Sequence, residues 1–143
     1  MRKLSYIFSM ILLPAVIACH TTKKPLADAN AIHHKWMLKT IDSVDDALVQ
    51  KSKAYIDLSD TARASAKAGC NGLGFGIKIF AGNKINFMQG PSTMMYCAEF
   101  MPAENGLVAA LKKVTGYSIE AHKISFKDAN GKVLITGVAE DWD

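Results

Sequence analysis

The stretch Ala68–Gly76, AGCNGLGFG, sets one cysteine and one asparagine among four glycines. Its meaning depends on the residues after it. Ile77-Lys78-Ile79-Phe80 alternates apolar and polar residues, as a half-buried strand does. Ala81-Gly82-Asn83-Lys84 is a hairpin turn, because Gly and Asn tolerate positive φ, and Lys84-Ile85-Asn86-Phe87-Met88 returns from it. Gly72, Gly74 and Gly76 therefore lead into a strand, whereas a dinucleotide loop opens a helix and places its third glycine where Ile77 stands. A P-loop also needs Gly-Lys-Ser/Thr, which is absent. The glycines read as a bend in an antiparallel sheet.

The same period extends outward. Trp36–Ile41 and Ala54–Leu58 are candidate strands, separated by an acidic, polar connection at Asp42–Asp46. Arg63–Lys67 alternates small and charged residues and leads into the glycine stretch. Tyr117–Glu120, Lys123–Lys127 and Lys132–Val138 complete the set, with Asp128-Ala129-Asn130-Gly131 as the hairpin between the last two. One segment breaks the pattern. Leu107, Ala110, Leu111 and Val114 share a helical face, which predicts a helix over Ala98–Thr115. Pro102 suits its first turn, Lys112 and Lys113 its negative end, and Gly116 its C-terminal cap. Seven or eight short strands with one helix predict an α+β, mainly β chain. The expected shape is a strongly bent antiparallel sheet or small open barrel with the helix packed on it.

The N-terminus has its own logic. Arg2 and Lys3 precede a mostly apolar run, Ile7–Ala18, that is too short to span a bilayer and reads as a signal peptide over residues 1–18. Val16-Ile17-Ala18-Cys19 resembles the lipobox of bacterial lipoproteins, in which the cysteine is lipidated and becomes the mature N-terminus. Residues 19–34 then form the lipidated Cys19 and a polar tether, with His33-His34 as its solvated end, and residues 35–143 form the domain. His20, rather than an aspartate, comes after the cysteine, which by the same resemblance directs the protein to the outer membrane.

Cleavage leaves 125 residues, a length suited to one core. It also removes two cations, so 15 basic residues face 13 acidic ones, a charge of about +2. The remaining lysines are scattered and no aromatic platform accompanies them, which argues against nucleic acid as a partner. No cluster with catalytic spacing stands out. His122 lies in a short link between strands, facing solvent, and is no base for Cys70. Two cysteines and one distant histidine fall short of a zinc site. With Cys19 lipidated, Cys70 and Cys97 remain, outside the cytoplasm where disulfides persist. A structural disulfide, two buried thiols and a redox pair are the three readings. Phe75, Phe80, Phe87, Met88, Met94 and Met95 are either core or the lining of an apolar pocket.

Taken together, Trp36-Met37-Leu38, Gly69-Cys70-Asn71, Thr93-Met94-Met95-Tyr96-Cys97, Glu104 and the Asp128–Gly131 hairpin resemble the META domain family, the HslJ-like heat-shock lipoproteins. The likeness runs from Trp36 to Val138 and rests on a G-C-N motif, a T-x-M-x-C motif and a helical glutamate. These are Gly69, Cys70, Asn71, Thr93, Met95, Cys97 and Glu104 here. Tyr96 stands where the family often has a small residue, and Asp42–Gln50 lacks its usual short glycine-containing connection. The resemblance implies a bacterial envelope protein linked to stress, without enzymatic activity, catalytic residues, metal or cofactor. The expected partners are the membrane, through the N-terminal lipid, and an envelope protein or a small apolar ligand. The expected state is a monomer.

Overall fold

The computed structural model describes residues 29–142. The signal segment, Cys19 and the tether up to residue 28 lie outside them. The alternating segments become eight antiparallel strands, each paired with its neighbours in sequence: β1 (Lys35–Ile41), β2 (Tyr55–Asp57), β3 (Ser65–Lys67), β4 (Gly72–Phe80), β5 (Lys84–Ser92), β6 (Gly116–Glu120), β7 (Lys123–Lys127) and β8 (Val133–Ala139). β8 pairs back onto β1, so the expected bent sheet closes into a barrel. The closure is uneven. β4 and β5 pair from Phe80↔Lys84 to Leu73↔Ser92, whereas β5 and β6 share one register pair, Lys84↔Gly116.

Alternation decides what fills the barrel. Leu38, Ile56, Ile85, Ile124, Phe126 and Ile135 all turn inward and are buried. Phe75, Phe87 and Phe126 meet edge to face, with centroids 5.2 and 5.6 Å apart, the geometry that aromatic quadrupoles prefer. Trp36 is also fully buried, and its indole N–H donates to the carbonyl of Ile32 at 3.0 Å.

That bond moves a boundary. The sequence places residues 29–34 in the tether, yet Ala29–Ile32 is a 3-10 turn and Ile32 is wholly buried in the core. The two histidines are half-buried against the barrel rather than solvated. His34 packs edge-on to Trp36, and His33 Nδ1 lies 3.3 Å from the carbonyl oxygen of Leu58.

Two further expectations change at the helices. The connection after β1 contains a short helix, α1 (Asp46–Lys51), whose N-terminus is capped by the Asp45 carboxylate accepting from the amides of Ala47 and Leu48. The long helix, α2 (Met101–Leu111), is shorter than the expected Ala98–Thr115 and ends on Lys112, so Gly116 opens β6 instead of capping a helix. Gly106, a weak point for a helix by propensity, is explained by packing: a Cβ there would collide with Val44 Cγ2. The α2 face of Ala103, Leu107, Ala110 and Leu111 is buried, as its spacing requires.

The glycine stretch takes a definite form. Gly72, Gly74 and Gly76 lie within β4 itself, and β5 runs on past Met88 to Ser92. Of the four glycines, the one with positive φ is Gly69, just before β4. The tight approach in this ribbon is at Gly90, where a Cβ would sit 2.5 Å from the carbonyl oxygen of Gly74, beside the register shift between Leu73 and Phe75. At Gly76 an added Cβ meets only the flexible end of Met88. Gly90→Ala should therefore cost about 1–3 kcal/mol in urea unfolding, because backbone must move. Gly76→Ala should stay within about 0.5 kcal/mol of the parent.

Candidate functional site

The chain enters β4 through a turn at Gly69, whose φ of +121° is closed to most side chains. The space is closed as well, since a Cβ would strike Phe100, the residue preceding α2. Only glycine lets this turn lie against the start of the helix. The next two amides then point at one carboxylate. Glu104, in the first turn of α2, accepts from Cys70 N at 2.8 Å and Asn71 N at 2.9 Å through Oε1. Its Oε2 accepts from Asn71 Nδ2 at 2.6 Å.

Asn71 uses its whole amide. Nδ2 also donates to the Met95 carbonyl at 2.8 Å, while Oδ1 accepts from the Thr93 hydroxyl at 2.9 Å and the Met95 amide at 2.7 Å. Two donors and two acceptor sites are thereby filled. The Thr93 hydroxyl in turn accepts from Gly72 N at 3.0 Å, and Thr93 N donates to the Gly72 carbonyl at 3.1 Å. The Cys70–Cys97 disulfide, with Cα atoms 6.4 Å apart, ties the same turn to the end of the same loop. The two sulfurs are bonded, which removes the reading as two buried thiols.

Glu104 is 9% exposed, and burial by itself would raise its pKa. The hydrogen bonds from the Asn71 side chain and from the Asn71 and Cys70 amides, with the charge of Lys67, outweigh burial and hold the carboxyl below its ordinary value. It is a fixed anion at neutral pH. Three donors from one turn fix both of its oxygens and clamp the turn to the helix. Among the described residues no three His, Cys, Asp or Glu side chains gather in a way that could hold a metal.

A cleft of about 340 Å³ opens beside the clamp, between the loop after β5 and α2. Leu73, Met94, Met95, Met101 and Val108 supply much of its apolar wall, with Lys67, Asn71 and Asn105 as polar points. Of the six residues expected to be core or pocket, Met94 and Met95 line this cleft and Met88 lines a smaller one nearby. Phe75 and Phe87 belong mainly to the barrel interior, though both reach the smaller cleft. Phe80 lines neither and is exposed near the hairpin turn. His122 is exposed as expected but stacks on Trp142, with centroids 3.7 Å apart. The wall residues Lys67, Met101, Asn105 and Val108 escaped the sequence reading. Met101, Asn105 and Val108 share one face of α2 at i, i+4 and i+7, a helical spacing that could have grouped them, while Lys67 comes from β3 and has no such signal.

Every residue of the G-C-N and T-x-M-x-C motifs and the helical glutamate thus joins one network, and a family model for the META domain matches residues 29–141. The chain belongs to the META domain family. Two solved structures share the fold of this META domain. An NMR structure of a protein from Burkholderia xenovorans is 20% identical, with a TM-score of 0.54, covering 96% of this chain and 99% of that one. A second NMR structure is 18% identical, with a TM-score of 0.53, covering 78% of this chain and 93% of that one. No curated protein matches the chain.

Two outcomes test the clamp. Glu104→Gln should cost about 1.5–3 kcal/mol at neutral pH, because an amide group replaces an oxygen that accepts charge-assisted bonds. A carboxyl whose folded pKa is lowered stabilises above its unfolded pKa of about 4.3, and that contribution is lost as pH falls through the lower folded value. Glu104→Gln should therefore flatten the acid limb of urea midpoints plotted against pH. Removing the disulfide by Cys70→Ala/Cys97→Ala should cost about 3–4 kcal/mol by chain entropy. A Cys19→Ala chain, denatured without reductant, should show no thiol by Ellman titration.

Proposed function

We propose that this META domain protein is a non-catalytic lipoprotein of the bacterial envelope. In this reading it is anchored through Cys19, faces the periplasm from the outer membrane, and serves envelope stress by binding another component. One observation carries the binding role. Met94 and Tyr96 are 95% and 84% exposed, on a loop whose backbone is held by Asn71, Thr93 and the Cys97 disulfide. Large apolar side chains presented on a fixed backbone lose little freedom on binding. Methionine and tyrosine are enriched at protein interfaces. The clamp draws on Met95 through its backbone, leaving its thioether at the cleft. The anchor rests on the lipobox-like Val16–Cys19 segment, and acyl chains at that position give stable attachment.

A second reading, a carrier of a small apolar ligand, draws on the 340 Å³ cleft and its methionine wall. Cys19→Ala should move the protein from the membrane pellet to the soluble envelope fraction, and a variant that still pellets defeats the anchoring claim. Native mass spectra of that variant should show the bare chain. A co-purified lipid-sized adduct would replace the binding role with the carrier.

A further inference from the structure

β5 leaves an edge open. Its ladder to β6 ends after Lys84↔Gly116, while its ladder to β4 continues to Ser92. The Ile85 amide donates to the Thr115 carbonyl at 3.1 Å, so Ile85 directs its backbone groups away from β4. Backbone direction alternates along an antiparallel strand. Phe87↔Ile77 and Gln89↔Phe75 continue in phase with Ile85↔Ile79. Phe87 and Gln89 therefore also direct their N–H and C=O groups away from β4, and among the described residues no other strand pairs with them.

What faces this edge is a helix. A cleft of about 170 Å³ separates Phe87, Met88 and Gln89 from Val108, Leu111 and Lys112. Leu73, Ser92 and Val108 line both this cleft and the larger one, so the two form a continuous trough along α2. We propose that the trough binds an extended, acidic segment of another envelope protein, which adds to β5 as a ninth strand. The proposal rests on the binding role above and names its partner.

Two features select that occupant. An unpaired strand edge with a helix opposite is built for strand addition, in which the peptide backbone supplies affinity and alternate side chains enter apolar pockets. A globular lipid tail would leave those backbone groups unanswered. The second feature is charge. The one carboxylate on the trough wall, Glu104, is consumed by the clamp, while Lys112 is exposed at one end and Lys67 half-buried at the other. Two lysines against one hydrogen-bonded carboxylate leave the trough wall with a net positive charge, with Lys112 clear of Glu104, and this complements an acidic peptide.

The test uses the Cys19→Ala chain and a synthetic octapeptide of alternating valine and threonine with glutamate at both ends. Titration calorimetry should show one-to-one binding. Methylating alternate backbone amides of the peptide should weaken it about tenfold or more, the loss expected for two backbone hydrogen bonds. Lysine ends should weaken binding about tenfold, and Lys112→Glu should reverse that preference. Gln89→Pro removes one edge-facing N–H, a place where a strand tolerates proline, and should weaken binding with the unfolding midpoint unchanged. Absence of binding overturns the proposal. So does equal binding of the methylated peptide, which would mean apolar contact alone. Dimerisation of the free chain that Gln89→Pro abolishes, seen by analytical ultracentrifugation, would make the occupant a second copy and also overturn it. None of these outcomes depends on where the Cys19→Ala chain fractionates, so a failure of the anchor and a failure of the groove are read separately.

Discussion

A single carboxylate holds the helix to the barrel. Glu104 sits in the first turn of α2, and its partners are amides and a side chain of the turn that starts β4. A buried charge is costly unless hydrogen bonds replace its lost water. Here three short bonds do so, and they come from consecutive residues that only a glycine at position 69 can bring so near. The cost of burying the charge and the strain of the turn are thus met by one arrangement. Without it, the Cys70–Cys97 disulfide, the Lys51–Glu99 ion pair and apolar contact would be left to fix where the helix begins. The loop after β5 would also lose the asparagine that organises it.

The uneven barrel stems from this arrangement. β5 and β6 are separated in sequence by the clamped loop and by α2, whereas the other consecutive strands succeed one another through shorter links. The helix occupies the gap and buries its apolar face across the barrel, leaning on the β1–α1 corner where Gly106 admits Val44. A full β5–β6 ladder and a packed helix compete for the same side of β5. The helix wins over most of its length, which leaves the trough between them.

Much of this was legible in the residues. Strand period, the Gly82-Asn83 and Asn130-Gly131 turns, and the spacing of Leu107, Ala110 and Leu111 each state a local preference that the structure keeps, while Val114 is buried just past the end of the helix. The chemistry of the motif was legible only as a set. Asn71, Thr93 and Glu104 are far apart in the chain, and no rule of spacing says that they share hydrogen bonds. What escaped was tertiary in origin. Asp45 could have been read as a cap, since Asp-Asp-Ala-Leu-Val is an ordinary helix start, but α1 is one and a half turns long and depends on its neighbours. Ile32 looked like the end of a polar tether because its role is set by Trp36, four residues on. The glycines of β4 looked like a bend because sequence does not say which of four closely spaced glycines carries the positive φ.

Closure between β1 and β8 has a consequence for how the chain assembles. β1 and β8 are neighbours in the cylinder although they lie farthest apart in sequence among the strands, so the cylinder stays incomplete until β8 is available to pair. Until then β1 exposes one edge, and Trp36 lacks part of its cover. Such non-local pairing is slow, because the chain entropy is spent before the contacts return it. The ribbon of β4 and β5 joins residues close in sequence and is free to form early. The topology thus favours early pairing within the β4–β5 ribbon and late closure of the β1–β8 seam.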